Sequence, residues 1–196
     1  RQLAEDRRAS AAAGASLIFA PAPEEMYPPG FSTWVEVPGL SDVLCGPSRP
    51  GHFRGVATVV LKVLNIVQAD VAVFGQKDGQ QALIIRRLAA DLNVPTEIRV
   101  EPTGREDSGL ALSSRNKYLG ASERAQAAVL SQALREAGEA VRAGERDVRK
   151  LERLLADTIR TAPDARIDYA RILDAETLAE IERVEKPALA ALAVFF

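Results

Sequence analysis

The chain has 196 residues, 47% of them apolar, and 25 Lys+Arg stand against 27 Asp+Glu for a net charge of -2. That size fills one large domain or two small ones, and the near balance of charge argues against a bulk nucleic-acid or anionic-membrane binder. Cys45 is the only cysteine, which excludes an intrachain disulfide and fits a reducing, cytoplasmic setting, while no apolar run reaches the roughly 20 residues of a membrane-spanning helix and no signal-peptide pattern opens the sequence.

Residues 1–13 are rich in helix formers, and Gly14 follows where a helix C-cap belongs. The apolar run "SLIFA" (16–20) predicts a buried strand. Pro21, Pro23, Pro28 and Pro29 then impose a loop. "TWVEV" (33–37) alternates at period two, the pattern of a half-exposed strand. "PSRPGHFRGV" is a further loop, entering a helix over 56–68 that is apolar nearly all round and so predicted to be buried on several sides.

"VAVFG" (71–75), a helix over 78–92 and "TEIRV" (96–100) follow as strand, helix, strand, the βαβ unit of a parallel sheet. After the polar loop "EPTGREDSGLALSSRN", residues 122–144 and 147–162 read as two amphipathic helices separated by Gly144. "RIDYARILD" (166–174) and "LAALAVFF" (189–196) read as strands of a separate small sheet. The expected fold class is α/β: a parallel sheet with helices over residues 1–103, and a smaller α+β domain over 104–196.

Three stretches carry chemistry. In an open parallel sheet, ligands sit beyond the carboxyl ends of the strands, where loops meet helix N-termini. Gly75 allows close backbone approach there, Lys77 supplies a mobile cation, and the helix beginning near Asp78 offers free N–H groups to phosphate oxygens. The spacing of Asp78 and Gln81 fits a capping box equally well. In "LALSSRN" (110–116), Ser113, Ser114 and Arg115 form a plausible anion clamp. The alternative is a serine cap, with Arg115 paired to Glu106 or Asp107. In "SRPGHFRGV" (48–56), Arg49 is a candidate substrate contact. His52, the only histidine, reads as structural, because one histidine cannot supply the usual multi-histidine metal site.

Taken together, "MYPPGFST", "LCGPSRPGHFRGVATVVLKVLNIVQ", "DVAVFGQKDGQQALIIRRLAADLNVP" and "REDSGLALSSRNKYL" resemble the pantothenate synthetase family, in order and over roughly residues 15–120. The helical remainder resembles that family's smaller C-terminal domain more loosely. The resemblance implies a Rossmann-like parallel sheet of nucleotidyltransferase type, incomplete in this sequence, and an ATP- and magnesium-dependent ligase. Such an enzyme converts pantoate to pantoyl adenylate, then joins it to β-alanine with release of AMP. It implies ATP binding by Gly75, Gln76, Lys77, Asp78, Gly104, Leu112, Ser113, Ser114 and Arg115. Of these, Lys77, Ser113, Ser114 and Arg115 serve the chemistry by holding the phosphates. Gln81 is implied to bind pantoate, and Arg49 to lie near the β-alanine or pantoyl end. A C-terminal lid and a homodimer are implied as well.

The chain also departs from the family pattern. Gly104 stands where valine is usual. A two-histidine H-x-G-H signature is missing, as are an early pantoate-binding glutamine, acidic positions linked with magnesium, and a Thr-Arg-Leu type ending. The expectation is therefore a fragment with little activity of its own, with no metal ligands inside it. Two rivals stay open: a related ligase acting on another acid, and a non-catalytic nucleotide-binding module of the same family.

Overall fold

The computed structural model describes residues 3–196, and the chain's own contacts divide it between Thr33 and Trp34 into two units. In the first unit, helix α1 (Leu3–Ala12) buries no residue. It ends at Gly14, whose φ of +88° is the left-handed backbone that glycine adopts without strain, and Ala15 N donates to Ser10 O at 3.0 Å. The first two positions of the helix expected over 1–13 lie outside the described residues. A short turn, α2 (Pro23–Met26), starts on proline, and Glu25 Oε2 accepts from Ala22 N at 2.7 Å.

The strand expected at 16–20 does not form. Leu17 is 79% exposed, and the run finds no partner strand in its unit, without which an extended backbone cannot close its hydrogen bonds. The strand expected at 33–37 does not form either. Val35 N donates instead to the Thr58 hydroxyl at 3.0 Å, so this segment is fastened to a helix and not to a sheet.

That helix, α3 (His52–Val67), begins four residues before the predicted start, with Gly51 at φ +74° as its N-cap. Phe53, Ala57, Thr58 and Leu64 are buried, whereas Ile66 and Val67 are 52% and 47% exposed. Apart from Arg54, residues 52–64 are buried or half-buried, so the expectation of burial on several sides fails only at the C-terminal turn. Strand β1 (Val71–Gly75), helix α4 (Gly79–Asp91) and strand β2 (Glu97–Glu101) form the predicted βαβ unit. The two strands are parallel, from Val71 opposite Glu97 to Gly75 opposite Glu101.

Beyond β2, the predicted first amphipathic helix is two: α5 (Ala121–Ala127) and α6 (Val129–Arg142). Ser131 N donates to Ala128 O at 3.1 Å, a local three-residue step that interrupts the regular ladder between them. Helix α7 (Val148–Ile159) is capped by Asp147, whose carboxylate accepts from Lys150 N at 3.1 Å. Strands β3 (Arg166–Asp174) and β4 (Ala188–Phe195) form an antiparallel hairpin, irregular between Ile167 and Tyr169. Two cores result. One is built by α6, α7 and β3 around Leu151, Leu155, Ile159 and Ile172. The other joins Phe53 and Ala57 of α3, Ile84 and Leu88 of α4, and Leu173 and Leu178 from the hairpin region. The hairpin is therefore packed against the two helices whose N-termini follow the candidate loops. Among the described residues, no helix is long and apolar enough to cross a membrane.

Candidate active site

Strand β1 ends at Gly75, and the single 3-10 turn Gln76–Asp78 leads into α4 at the carboxyl end of the parallel sheet. A Cβ placed on Gly75 would meet nothing within 4 Å, so the space above the turn is open. Gln76 and Lys77 are exposed. Lys77 Nζ lies 3.6 Å from Asp78 Oδ1, both side chains partly in water, a weak pair that leaves the ammonium able to swing toward an incoming anion. Asp78 occupies the N-cap position of α4, yet its side chain makes no capping hydrogen bond. The capping-box alternative is not formed, and the first N–H groups of α4 keep their capacity for a ligand. Gln81 is half-buried on the first turn of α4.

In the second stretch both alternatives are partly realised. Ser113 Oγ accepts from Arg115 N at 3.2 Å and caps the 3-10 turn Ser114–Tyr118. Glu106, however, pairs with Arg124 at 2.7 Å and accepts from Asn116 Nδ2 at 3.2 Å. Arg115 is exposed and has no ion-pair partner among the described residues. Gly104 O accepts from Leu112 N at 2.9 Å, and a Cβ on Gly104 would stand 3.3 Å from Leu112 Cδ1. The glycine at 104 thus closes the loop tightly onto the exposed Leu112.

The head of α3 joins these stretches. His52 feels the charges of Arg49, Arg115 and Asp78 together, so the loop at 49, the turn at 78 and the turn at 115 face one region. Partial burial, then the two guanidinium groups, hold the His52 imidazole below its usual value, with Asp78 opposing.

Two further residues escaped the sequence reading. Gln80 is buried, and its amide donates to Leu40 O at 2.8 Å and Val43 O at 2.7 Å while Cys45 Sγ donates to its Oε1 at 3.3 Å. It fastens the loop before Arg49 to the first turn of α4. Its spacing with Ile84 and Leu88, at i, i+4 and i+8, was a signal that it faces the core. Tyr169 comes from the far hairpin. Burial pushes its phenol up to about 12, with Cys45 and Asp168 adding and Arg49 opposing. No local motif announces that a tyrosine of the C-terminal hairpin feels the charge of Arg49, 120 residues away in the chain. Among the described residues, no three His, Cys, Asp or Glu side chains gather to hold a metal ion.

The family model for pantoate-beta-alanine ligase matches residues 1–196. A pantothenate synthetase of Moorella thermoacetica is 53% identical over 195 residues, covering all of this chain and 69% of that protein. A pantothenate synthetase crystal structure from Thermus thermophilus superimposes with a TM-score of 0.94 at 44% identity, covering all of this chain and 71% of that one. The pantoate-beta-alanine ligase of Francisella tularensis, crystallised with beta-gamma ATP and beta-alanine, matches with a TM-score of 0.70 at 30% identity over all of this chain and 70% of that one. An α/β chain with a βαβ unit, a small antiparallel sheet and an open turn after β1 accordingly belongs to the pantoate–β-alanine ligase, or pantothenate synthetase, family of ligases.

Proposed function

We propose that the protein carrying these residues joins pantoate to β-alanine through pantoyl adenylate, as its family membership supports most directly. The observation that carries this reading is the convergence of Arg49, Asp78 and Arg115 on His52, beside the open turn that bears Lys77. Cations that lack full partners, next to uncapped helix N–H groups, suit a polyphosphate. Lys77, Ser113, Ser114 and Arg115 would hold the phosphates of ATP. Gly75, Gln76, Asp78, Gly104 and Leu112 would line the nucleoside, and Gln81 would hydrogen-bond pantoate. In the first step a pantoate carboxylate oxygen attacks the α-phosphorus of ATP, and pyrophosphate leaves with the electron pair of the broken P–O bond. The cations offset the charge that develops as it departs. In the second step the β-alanine nitrogen bonds to the acyl carbon, the C–O bond to the phosphate breaks, AMP departs and the ammonium proton passes to solvent.

Residues 104–196 would act as the lid domain over the nucleotide domain, excluding water from the acyl adenylate. Magnesium would enter with ATP as its counter-ion. The described residues form no carboxylate or histidine cluster to hold it, and no step is routed through it. A cytoplasmic homodimer completes the proposal.

One observation favours a second reading. The 196 residues contain a single histidine, so the paired histidines expected of an active family member are not among them. This polypeptide alone would then turn over little, and a non-catalytic nucleotide-binding module remains the alternative. Supplying the natural polypeptide that carries these residues with Mg-ATP, pantoate and β-alanine separates the two. Pantothenate and AMP in equal amounts are expected. ATP binding without either product would favour the non-catalytic module.

A further inference from the structure

Gln80 stands between two candidate stretches that the sequence keeps apart. It is buried on the first turn of α4, between Asp78 and Gln81. Its amide nitrogen donates to Leu40 O at 2.8 Å and Val43 O at 2.7 Å, and its Oε1 accepts from the Cys45 thiol at 3.3 Å. From Val43 the loop climbs to the head of α3 through a run of turns. Gly46 N donates to Val43 O at 2.9 Å, Arg49 N to Gly46 O at 3.0 Å, and His52 N to Arg49 O at 3.1 Å. Ser48 Oγ donates to Cys45 O at 3.0 Å within the same run. A Cβ on Gly46 would overlap the Ser41 carbonyl oxygen, so the loop closes tightly on itself there. Its two ends are anchored, because Leu40 and Phe53 share a core with Ile84 of α4.

Both amide hydrogens of Gln80 are spent inside the fold, so the side chain offers no donor to a substrate. What it fixes is spacing. The run of hydrogen bonds starts on the first turn of α4, next to the open turn that bears Lys77, and ends on the backbone of Arg49 and His52. Turns closed by single hydrogen bonds hold weakly against the entropy of ordering their residues, whereas a buried amide gripping two carbonyls selects one loop conformation. The Cys45 thiol orients that amide. With Oε1 taken by the S–H, the nitrogen is the atom left to face Leu40 and Val43. We propose that Gln80 is a positioning residue for the ligase reaction: through Val43, Gly46 and Arg49 it sets the spacing between the turn at 76–78 and the head of α3, and so aligns the groups that the two segments carry. This rests on the ligase reading above.

The test compares wild type with Gln80→Leu in the natural polypeptide that carries these residues, under conditions where circular dichroism shows both folded. With ATP, pantoate and β-alanine saturating, kcat for pantothenate should fall roughly 10–100-fold, the scale of about an ångström of misalignment. KM for ATP should change less than about threefold, because each segment keeps its own contacts. The single histidine gives a second readout: its titration should move up in Gln80→Leu as Arg49, one of the cations holding it down, recedes. A merely structural glutamine would lower stability alone. A wild-type kcat per folded molecule, or a His52 titration that stays at its wild-type value, overturns the proposal. A wild type without pantoate-dependent ATP–pyrophosphate exchange defeats the ligase reading instead. Should Gln80→Leu fail to fold, Cys45 decides. Cys45→Ala, which removes the donor that orients the amide, should lower kcat about threefold, and Cys45→Ser, which keeps a donor, should restore it. Equal kcat in Cys45→Ala and wild type overturns the proposal.

Discussion

His52 shows how far a residue's meaning depends on its neighbours. A lone histidine in a sequence carries little information, but at the head of α3 it reports on Arg49, Arg115 and Asp78 at once. Its imidazole is held below 6.5 first by partial burial and then by the two guanidinium groups. The folded state therefore binds fewer protons than the unfolded chain, and stability declines as pH falls from the unfolded value through the folded one. Because the chain has one histidine, its NMR signals can be assigned without ambiguity. They should titrate below 6.5 and move back up in Arg115→Gln, which removes one of the two cations. Titration at or above the ordinary histidine value, unmoved by that substitution, would show that the segments do not converge.

The elements around the site are held by side chains more than by sheet hydrogen bonds. Gln80 ties the loop carrying Leu40, Val43 and Cys45 to α4 with three hydrogen bonds. Gln80→Leu keeps the approximate volume but orphans two carbonyls, a change that costs about 1–3 kcal/mol. Urea unfolding should show that loss with the slope unchanged, and a loss under about 0.5 kcal/mol would mean that water replaces the clamp. The βαβ unit was legible because its periodicities, from apolar strand to amphipathic helix, are local. So were α7 and the hairpin strands. The runs at 16–20 and 33–37 misled because apolar or alternating residues satisfy a strand pattern whether or not a partner strand lies alongside. Val35 N went to the Thr58 hydroxyl, a contact 23 residues away that periodicity does not encode. The same limit hid Tyr169. Lys77 and the Ser113–Arg115 run could be named as candidates because their residue types sit next to one another in sequence.

At the scale of the whole molecule, one core connects the C-terminal hairpin to α3 and α4, so the helices that position the proposed phosphate contacts depend on residues from Leu173 onward for their packing. Among the described residues the parallel sheet has two strands, with Val73 of β1 63% exposed, where parallel strands are ordinarily covered on both faces. Over the matched region, the chain spans 69% of the Moorella thermoacetica relative. The central proposal is that the turn after β1, with Lys77, holds the phosphates of ATP while pantoate is adenylated. Pantoate-dependent ATP–pyrophosphate exchange in the natural polypeptide that carries these residues, wild type against Lys77→Ala, tests it most directly. Exchange that requires pantoate and falls roughly 10²–10³-fold in Lys77→Ala is the predicted result, the usual scale for losing one charge-stabilising group. Exchange that proceeds without pantoate, or that Lys77→Ala leaves unchanged, would contradict it.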